Sequence, residues 1–416
     1  MYRVFTAYGL ILRCCMIFLF LLPGYLMVNL YISFRITYWF RNLWKKLDRR
    51  GFTVTVSVLY FALALSPIFA FLLPKSGFSI AVRRLSAYWM GIMLYFVSML
   101  LIAELARLIL LRTKFRNSKL FSRAGAVLVG AAVFVSAGAV CLYGAYNARQ
   151  IKTTKYELTV EKEADGLDKL RAVLIADTHM GYAIGRDHIR EMVEKINAEE
   201  PDIVIFAGDI FDNSTEGLDY PDETAELFRS IKTRYGVWAT YGNHDIDEQI
   251  LMGFTFNWSD SPPNDSRMRS FCEKAGINLL CDETVLIDGK FYLVGRRDGM
   301  KPGTDDGSRL SPAELTKDLD LSKPVFFIAH EPGELQETAD AGADIDFSGH
   351  THDGQLFPLT IITDITWENA CGVIRKDDMY SVVTSGVGVF GPFMRVGTDA
   401  EIVSADIRFS GKGSDD

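Results

Sequence analysis

The chain has 416 residues and a formal net charge of −8, a length that suits two to three domains. That average conceals two opposed parts: residues 1–150 hold 18 Lys/Arg against two acids, Asp48 and Glu104, and the remainder holds 26 against 50. The basic part is too hydrophobic for a soluble domain, and the acidic part would repel phosphate backbones, which excludes nucleic-acid binding as a main role.

In chain order, the first 150 residues read as a four-span transmembrane domain. Apolar runs at 14–34, 52–73, 87–111 and 124–143 each approach the roughly 20 residues needed to cross hydrocarbon. Pro23 and Gly24 interrupt the first run, which spans tolerate. Its length, the lack of a small-residue cleavage site and the three runs that follow argue against a cleaved signal peptide. Trp39, Trp44, Tyr88 and Trp89 fall near expected span ends, as interface aromatics do. Ile36, Phe40, Leu43 and Leu47 recur at helical spacing among bases, which suits either a helix lying at the lipid interface or a stop-transfer flank. Glu104 and Arg107, three apart, are expected to pair locally near the basic end of the third span.

Loop charge sets the expected orientation. The first loop carries Arg35, Arg41, Lys45, Lys46, Arg49 and Arg50, and the third carries Arg112, Lys114, Arg116, Lys119 and Arg123. The second carries Lys75, Arg83 and Arg84, and the N-terminal tail Arg3 and Arg13. The more basic loops belong in the cytoplasm, so the protein is expected in the cell membrane, with its N-terminus and acidic domain outside the cytoplasm.

Residues 151–409 form the second expected domain, and 410–416 a disordered tail. Short apolar runs at 173–176, 203–207, 237–241, 325–329 and 345–347 predict strands, and Ile189, Val193 and Ile196 predict a helix over 187–199. Strands alternating with helices give an α/β domain. Cys272 and Cys281 could form a disulfide outside the cytoplasm, leaving Cys371 over.

Five of the six histidines lie in polar motifs just past these strands: DTH (Asp177, His179), GNHD (Asn243, His244, Asp245), AHEP (His330) and GHTH (His350, His352). GDIFD adds Asp209 and Asp212. Strand carboxyl ends are where open α/β sheets place their sites. His188 stands apart, in the first turn of the predicted helix, and is expected to face solvent. Asp245 and Asp353 read as turn or supporting residues.

Imidazole and carboxylate together are the ligand set of divalent transition metals, and this many ligands suits two ions. A carboxylate on a tight Gly-Asp turn can be shared between two cations and offset their repulsion. Such a pair can clamp a phosphate and make water nucleophilic toward it. A histidine beside the metals can protonate the leaving alkoxide. The chemistry indicated is phosphate-ester hydrolysis.

Taken in order, DTH, GDIFD, GNHD, AHEP and GHTH resemble the motif set of the calcineurin-like metallophosphoesterases, over residues 155–407 and not over the spans. GHTHDGQ followed by SGVGVFGPFMRVG is similar to a branch of membrane-associated bacterial phosphodiesterases with GHTHGGQ. The resemblance implies a sandwich of two mixed β-sheets flanked by helices. It implies one metal held by Asp177, His179, Asp209 and His352, and another by Asp209, Asn243, His330 and His350. His244 is then the acid for the leaving group, with Asp212 holding its imidazole from behind. Mixed nitrogen and oxygen ligands suit manganese, iron or zinc.

The sequence also departs from family patterns. Asn213-Ser214 follow the second motif where phosphoprotein phosphatases carry Arg-Gly, so a phosphate-gripping arginine is missing there. Asp353 replaces the glycine usual after GHTH, and Glu331 stands where Asn or Asp is frequent. The substrate stays open between a lipid or lipid-linked phosphodiester or pyrophosphate, with membrane lipids as partners, and soluble nucleotides or phosphomonoesters met by an anchored enzyme. A non-enzymatic membrane module is the third alternative, opposed by the intact ligands. Residues 246–269, with Met252, Phe254, Phe256 and Trp258, read as a packed surface loop or as a lid for an acyl chain.

Overall fold

The computed structural model describes residues 21–74, 76–251, 254–256, 266–304 and 307–411. It divides into two units, Met1–Tyr143 and Gly144–Asp416. Most of the expected tail (412–416) and the start of the first expected span lie outside the described residues.

The first unit is helical: α1 (Leu22–Leu43), α2 (Arg50–Ala64), α3 (Ser66–Leu72), α4 (Gly77–Leu111) and α5 (Arg123–Asn147), the last running on into the second unit. Among the described residues, α4 and α5 are long and apolar enough to cross a membrane, and α2 with α3 would add a third span if that pair, bent by 46°, is one crossing. Of the four expected crossings, two, or three with the bent pair, are thus found among the described residues. The bend falls at Pro67, which supplies no amide donor to the preceding turn. Helix α1 continues through Ile36 and Phe40 to Leu43 and carries Asn29, Arg35, Arg41 and Asn42, which dilute its hydropathy.

Helix α4 begins ten residues before the expected span, capped reciprocally by Ser76 and Ser79, so Arg83 and Arg84 are helical rather than in a loop. Trp89, expected near a span end, lies inside α4 and is buried. It packs edge-on to Tyr60 at 5.2 Å and donates to Tyr25 Oη at 3.1 Å. Glu104 pairs with Arg107 at 2.8 Å as expected, and also with Arg35 at 2.5 Å.

The second unit runs β1 (Ile151–Val160), β2 (Lys169–Ile175), α6 (Arg186–Ala198), β3 (Ile203–Ala207), α7 (Pro221–Arg229), β4 (Val237–Thr240), β5 (Gln249–Leu251), β6 (Phe254–Phe256), α8 (Ser266–Ala275), β7 (Ile277–Leu279), β8 (Glu283–Ile287), β9 (Phe291–Gly295), α9 (Pro312–Thr316), β10 (Val325–Ile328), α10 (Leu335–Asp340), β11 (Ile345–Ser348), α11 (Leu359–Thr366), β12 (Gly372–Lys376), β13 (Met379–Val383) and β14 (Ala400–Phe409). Two six-stranded mixed sheets result, in the orders β1-β14-β2-β3-β4-β7 and β12-β13-β11-β10-β9-β8. In the first, β2, β3, β4 and β7 are parallel and β14 runs antiparallel to β2; in the second, β9, β10, β11 and β13 are parallel.

Side-chain alternation along the strands builds the layers. Ile203 and Ile205 of β3 meet Phe326 and Ile328 of β10 and Phe347 of β11 between the sheets. Val204 and Phe206 point the other way, onto Ile189, Val193 and Ile196 of α6 and Phe228 of α7. Val325 and Phe327 turn outward beneath Leu335 of α10. Strands covered on both faces read as continuous apolar runs, which is why β3 and β10 carry no alternation of polarity. Cys272 and Cys281 are buried free thiols, so the disulfide considered for them is absent.

Candidate metal centre

All five motifs sit where strands stop. Asp177 and His179 follow β2, Asp209 follows β3, Asn243 and His244 follow β4, His330 follows β10, and His350 and His352 follow β11. Backbone hydrogen bonds hold these turns together: Asp177 N donates to Gly208 O at 3.1 Å, His179 N to Asp209 O at 3.0 Å, and Gly349 N to His330 O at 3.0 Å. Asp177, His179, Asp209, His350 and His352 all have φ between 42° and 70°. That left-handed conformation is uncommon outside glycine and clusters at functional sites. Gly242 is fixed by space: a Cβ there would lie 2.2 Å from Asp209 Oδ1.

Two groups of donors form. In one, His179 Nε2 lies 3.0 Å from His352 Nε2 and 3.6 Å from Asp209 Oδ2, and His352 Nε2 lies 3.6 Å from Asp177 Oδ1. In the other, His330 Nε2 lies 3.1 Å from Asp209 Oδ2, 3.1 Å from Asn243 Oδ1 and 3.2 Å from His350 Nδ1, which is itself 3.0 Å from Asn243 Oδ1. Asp177, His179 and His352, and likewise Asp177, Asp209 and His330, are each spaced to hold an ion. Asp209 Oδ2 faces both groups. His330 Nδ1 lies 2.8 Å from Ala207 O, where as a donor it leaves Nε2 free as a ligand.

Electrostatics agree with the donor chemistry. Burial lowers His179 to about 4 and His350 to about 3, and holds His352 well below its ordinary value. These rings are therefore neutral, the form that ligates metal. Burial, against the pull of His330, pushes the Asp177 carboxyl up to about 7. Burial opposes charge on both Asp209 and His330, but their mutual attraction outweighs it, lowering Asp209 and raising His330. Neutral imidazoles, buried carboxyls and an amide oxygen converge with His179 and His352 facing each other through Nε2. Divalent cations compete for the nitrogen that carries the His330 proton, so the residues fit metal.

His244 lies against this cluster. Its N donates to Asp209 Oδ1 at 2.8 Å, its ring stands 4.3 Å from that of Phe390, and its Nδ1 lies 2.5 Å from Asn213 Oδ1. Asp212, expected behind this imidazole, is half-buried in the same turn, its N donating to Met180 O at 3.0 Å. Asp245 fixes the GNHD turn, accepting from Phe211 N at 2.9 Å and Gly242 N at 2.7 Å. Asp353 occupies a left-handed turn position with φ 50°.

Other contacts were not foreseen from sequence. Arg395 is fully buried and donates to the carbonyls of Ser385, Gly386, Gly388 and Asp399 at 2.7–3.1 Å, with Nη2 3.4 Å from His352 Nδ1. It thereby braces the loop behind His352. The signal was present: Arg395 is the sole cation in a glycine-rich run. Trp367 packs edge-on to His350 at 5.3 Å, and Glu331 Oε1 lies 3.9 Å from His350 Nε2. His188 does not face solvent as expected. It is half-buried, its Nε2 3.0 Å from Val387 O, because the 384–389 loop folds over the start of α6. Of the lid segment, β5 and β6 pair as a small antiparallel hairpin; Met252 and Trp258 lie outside the described residues.

Residues 170–354, which span every motif, match the family model of the calcineurin-like phosphoesterases. The second unit is a calcineurin-like phosphoesterase domain. As a member of that family it is a metal-dependent phosphoester hydrolase domain. The chain is 29% identical over 280 residues to a zebrafish (Danio rerio) transmembrane protein with metallophosphoesterase domain, covering 64% of this chain and 59% of that protein. It is 28% identical over 285 residues to an uncharacterized metallophosphoesterase of Aquifex aeolicus, covering 66% and 98%. A Helicobacter pylori metallophosphoesterase is 26% identical over 247 residues, covering 57% and 60%. The chain thus spans about three-fifths of the zebrafish and Helicobacter proteins' own length. With two apolar helices ahead of the phosphoesterase domain, the protein is membrane-associated.

Proposed function

We propose that this chain is a membrane-anchored hydrolase of a phosphodiester or pyrophosphate, with a lipid or lipid-linked substrate, and that it works with two divalent cations. Asp177, His179, Asp209 and His352 would hold one cation, and Asp209, Asn243, His330 and His350 the other. The observation that carries this reading is the position of Asp209 Oδ2, 3.6 Å from His179 and 3.1 Å from His330. When bound, such cations would neutralise phosphoryl oxygens and lower the pKa of water so that it can attack phosphorus. The residues of the chain do the rest. His350 N donates to both oxygens of Asp177, fixing that carboxylate. Ala207 O sets the tautomer of His330. His244, steadied through Nδ1 with Asp212 as a further support, presents Nε2 to the leaving oxygen as its general acid.

Turnover by the full chain in phospholipid vesicles, with manganese added, tests the proposal. An aryl phosphodiester and a vesicle-borne phosphodiester or pyrophosphate should be hydrolysed, and a chelator should stop both. Hydrolysis confined to nucleotides or phosphomonoesters would move the assignment to an anchored soluble-substrate enzyme. No hydrolysis with metal bound would leave an interaction module.

The charge bias of the basic half supports a multi-pass arrangement with the phosphoesterase domain outside the cytoplasm. A reporter active only in the cytoplasm, fused after Asp416, is expected to stay silent. A strong signal from it would reverse the topology.

A further inference from the structure

The strongest unexplained surface is α11, which lies between the GHTH loop and Trp367. In α6, an ordinary surface helix, Ile189, Met192, Val193 and Ile196 are all buried. In α11 no residue is buried. Phe357 just before it is 52% exposed, Ile361 50%, Ile362 61% and Ile365 80%. A continuous aliphatic face turned outward on a folded domain marks a surface that something else covers.

The hydrogen bonds around its base point to what covers it. Phe357 N donates to Val396 O at 2.7 Å, and Val396 N donates to Gln355 O at 3.0 Å. The same short loop receives the end of α5: Arg395 N donates to Gly144 O at 2.9 Å, and Asn147 Nδ2 donates to Thr398 O at 2.8 Å. The base of α11 and the point where the apolar α5 enters the domain therefore share one anchor. Tyr146, 65% exposed beside that anchor, is the residue type that membrane interfaces favour. Two threonines of α11 suit the same medium, and its one charged residue, Asp364, sits off the aliphatic face by helical spacing. Thr363 and Thr366 turn their hydroxyls onto the carbonyls of Leu359 and Ile362, at 3.2 and 2.8 Å, so neither needs water.

We propose that α11 lies in the headgroup–acyl boundary of the bilayer from which α5 emerges, with Phe357, Ile361, Ile362 and Ile365 among the lipid. Its eight residues, a helix about 12 Å long, run from the GHTH loop to Trp367 on His350, so the metal centre is held at the level of lipid headgroups. The surface assignment stands on α11 itself; its consequence for substrate delivery rests on the phosphoesterase reading above.

The test uses the full chain in phosphatidylethanolamine–phosphatidylglycerol vesicles. Benzoylphenylalanine at position 362 or 365 should photocrosslink to phospholipid, at least fivefold above the same probe at exposed position 378. Crosslinks to a second copy of the chain, or no excess over position 378, would overturn the proposal. A triple variant, Ile361→Gln with Ile362→Gln and Ile365→Gln, should hydrolyse a vesicle-borne phosphodiester about tenfold more slowly and a soluble aryl phosphodiester within twofold of the parent. Equal loss on both esters would overturn the delivery role. If the parent hydrolyses neither ester, the catalytic reading fails, and the lipid crosslink alone still decides where α11 lies.

Discussion

Asp209→Ala is expected to remove bound metal and activity together, with a rate loss of about 10³-fold or more, some 4 kcal/mol of transition-state stabilisation. Three functions meet in this one side chain. Its Oδ2 faces both imidazole groups, so its removal takes a ligand from each proposed cation site. Its Oδ1 accepts from His244 N at 2.8 Å, so the GNHD turn loses an anchor. Its negative charge offsets the repulsion between two cations a few ångströms apart, which no neutral residue can do. Alanine at φ 50° adds backbone strain. Asp209→Asn separates the causes, because asparagine tolerates that conformation and keeps an amide oxygen for His244. Asn should fold as the parent does and still bind metal poorly. The checks are metal content by mass spectrometry, circular dichroism and turnover of an aryl phosphodiester. An alanine variant with the parent's metal content and rate would end the shared-ligand assignment.

His244→Ala should leave metal content intact while kcat falls by about 10²–10⁴-fold, the usual range for loss of a general acid. The ring is held on three sides, by Asp209 through the backbone, by Asn213 at Nδ1 and by Phe390 across its face. Burial lowers it to about 3, so it has no proton to give until an anionic phosphoryl group binds beside it. The loss should therefore depend on the leaving group. An alkyl phosphodiester, whose alkoxide needs a proton, should show the full effect. A nitrophenyl ester, which departs as a stable anion, should show far less. Parent-like kcat on the alkyl ester would show that His244 is not the acid.

The proposed metal ligands were legible because each combines a rare residue type with a strand end. An apolar run that stops at Gly-Asp or Gly-His announces a turn at the sheet edge, and the order of five such turns carried the family. The two mixed sheets were implied by the family resemblance and not by the residues themselves, although β3 and β10 are apolar throughout, as strands covered on both faces must be. The contacts around His244 were less legible. Asn213, next to the residue expected to support the ring, lies 2.5 Å from His244 Nδ1, a contact that no motif pattern announced. Phe390 lies 146 residues beyond His244 and Arg395 lies 43 beyond His352, so nothing local ties either to its partner.

The membrane part shows the same division. Hydropathy found α4 and α5, but Trp89 could be placed inside a helix cluster rather than at an interface only by seeing Tyr60 and Tyr25 beside it. Helix α11 shows it most clearly. Its spacing of Leu359, Ile362 and Ile365 is that of a buried stripe, and the fold turns the stripe outward.

Composition, periodicity and motif order by themselves determined an anchored α/β domain with a cluster of metal-binding residues, because those depend on local chemistry and on which residues end each strand. Tertiary structure alone decided the distances from Asp209 Oδ2 to the two histidine groups, that Arg395 braces the loop behind His352, and that α11 shares its anchor with the end of α5. Each of these is a distance between segments far apart in the chain, set by how two sheets pack and not by any neighbourhood in the sequence.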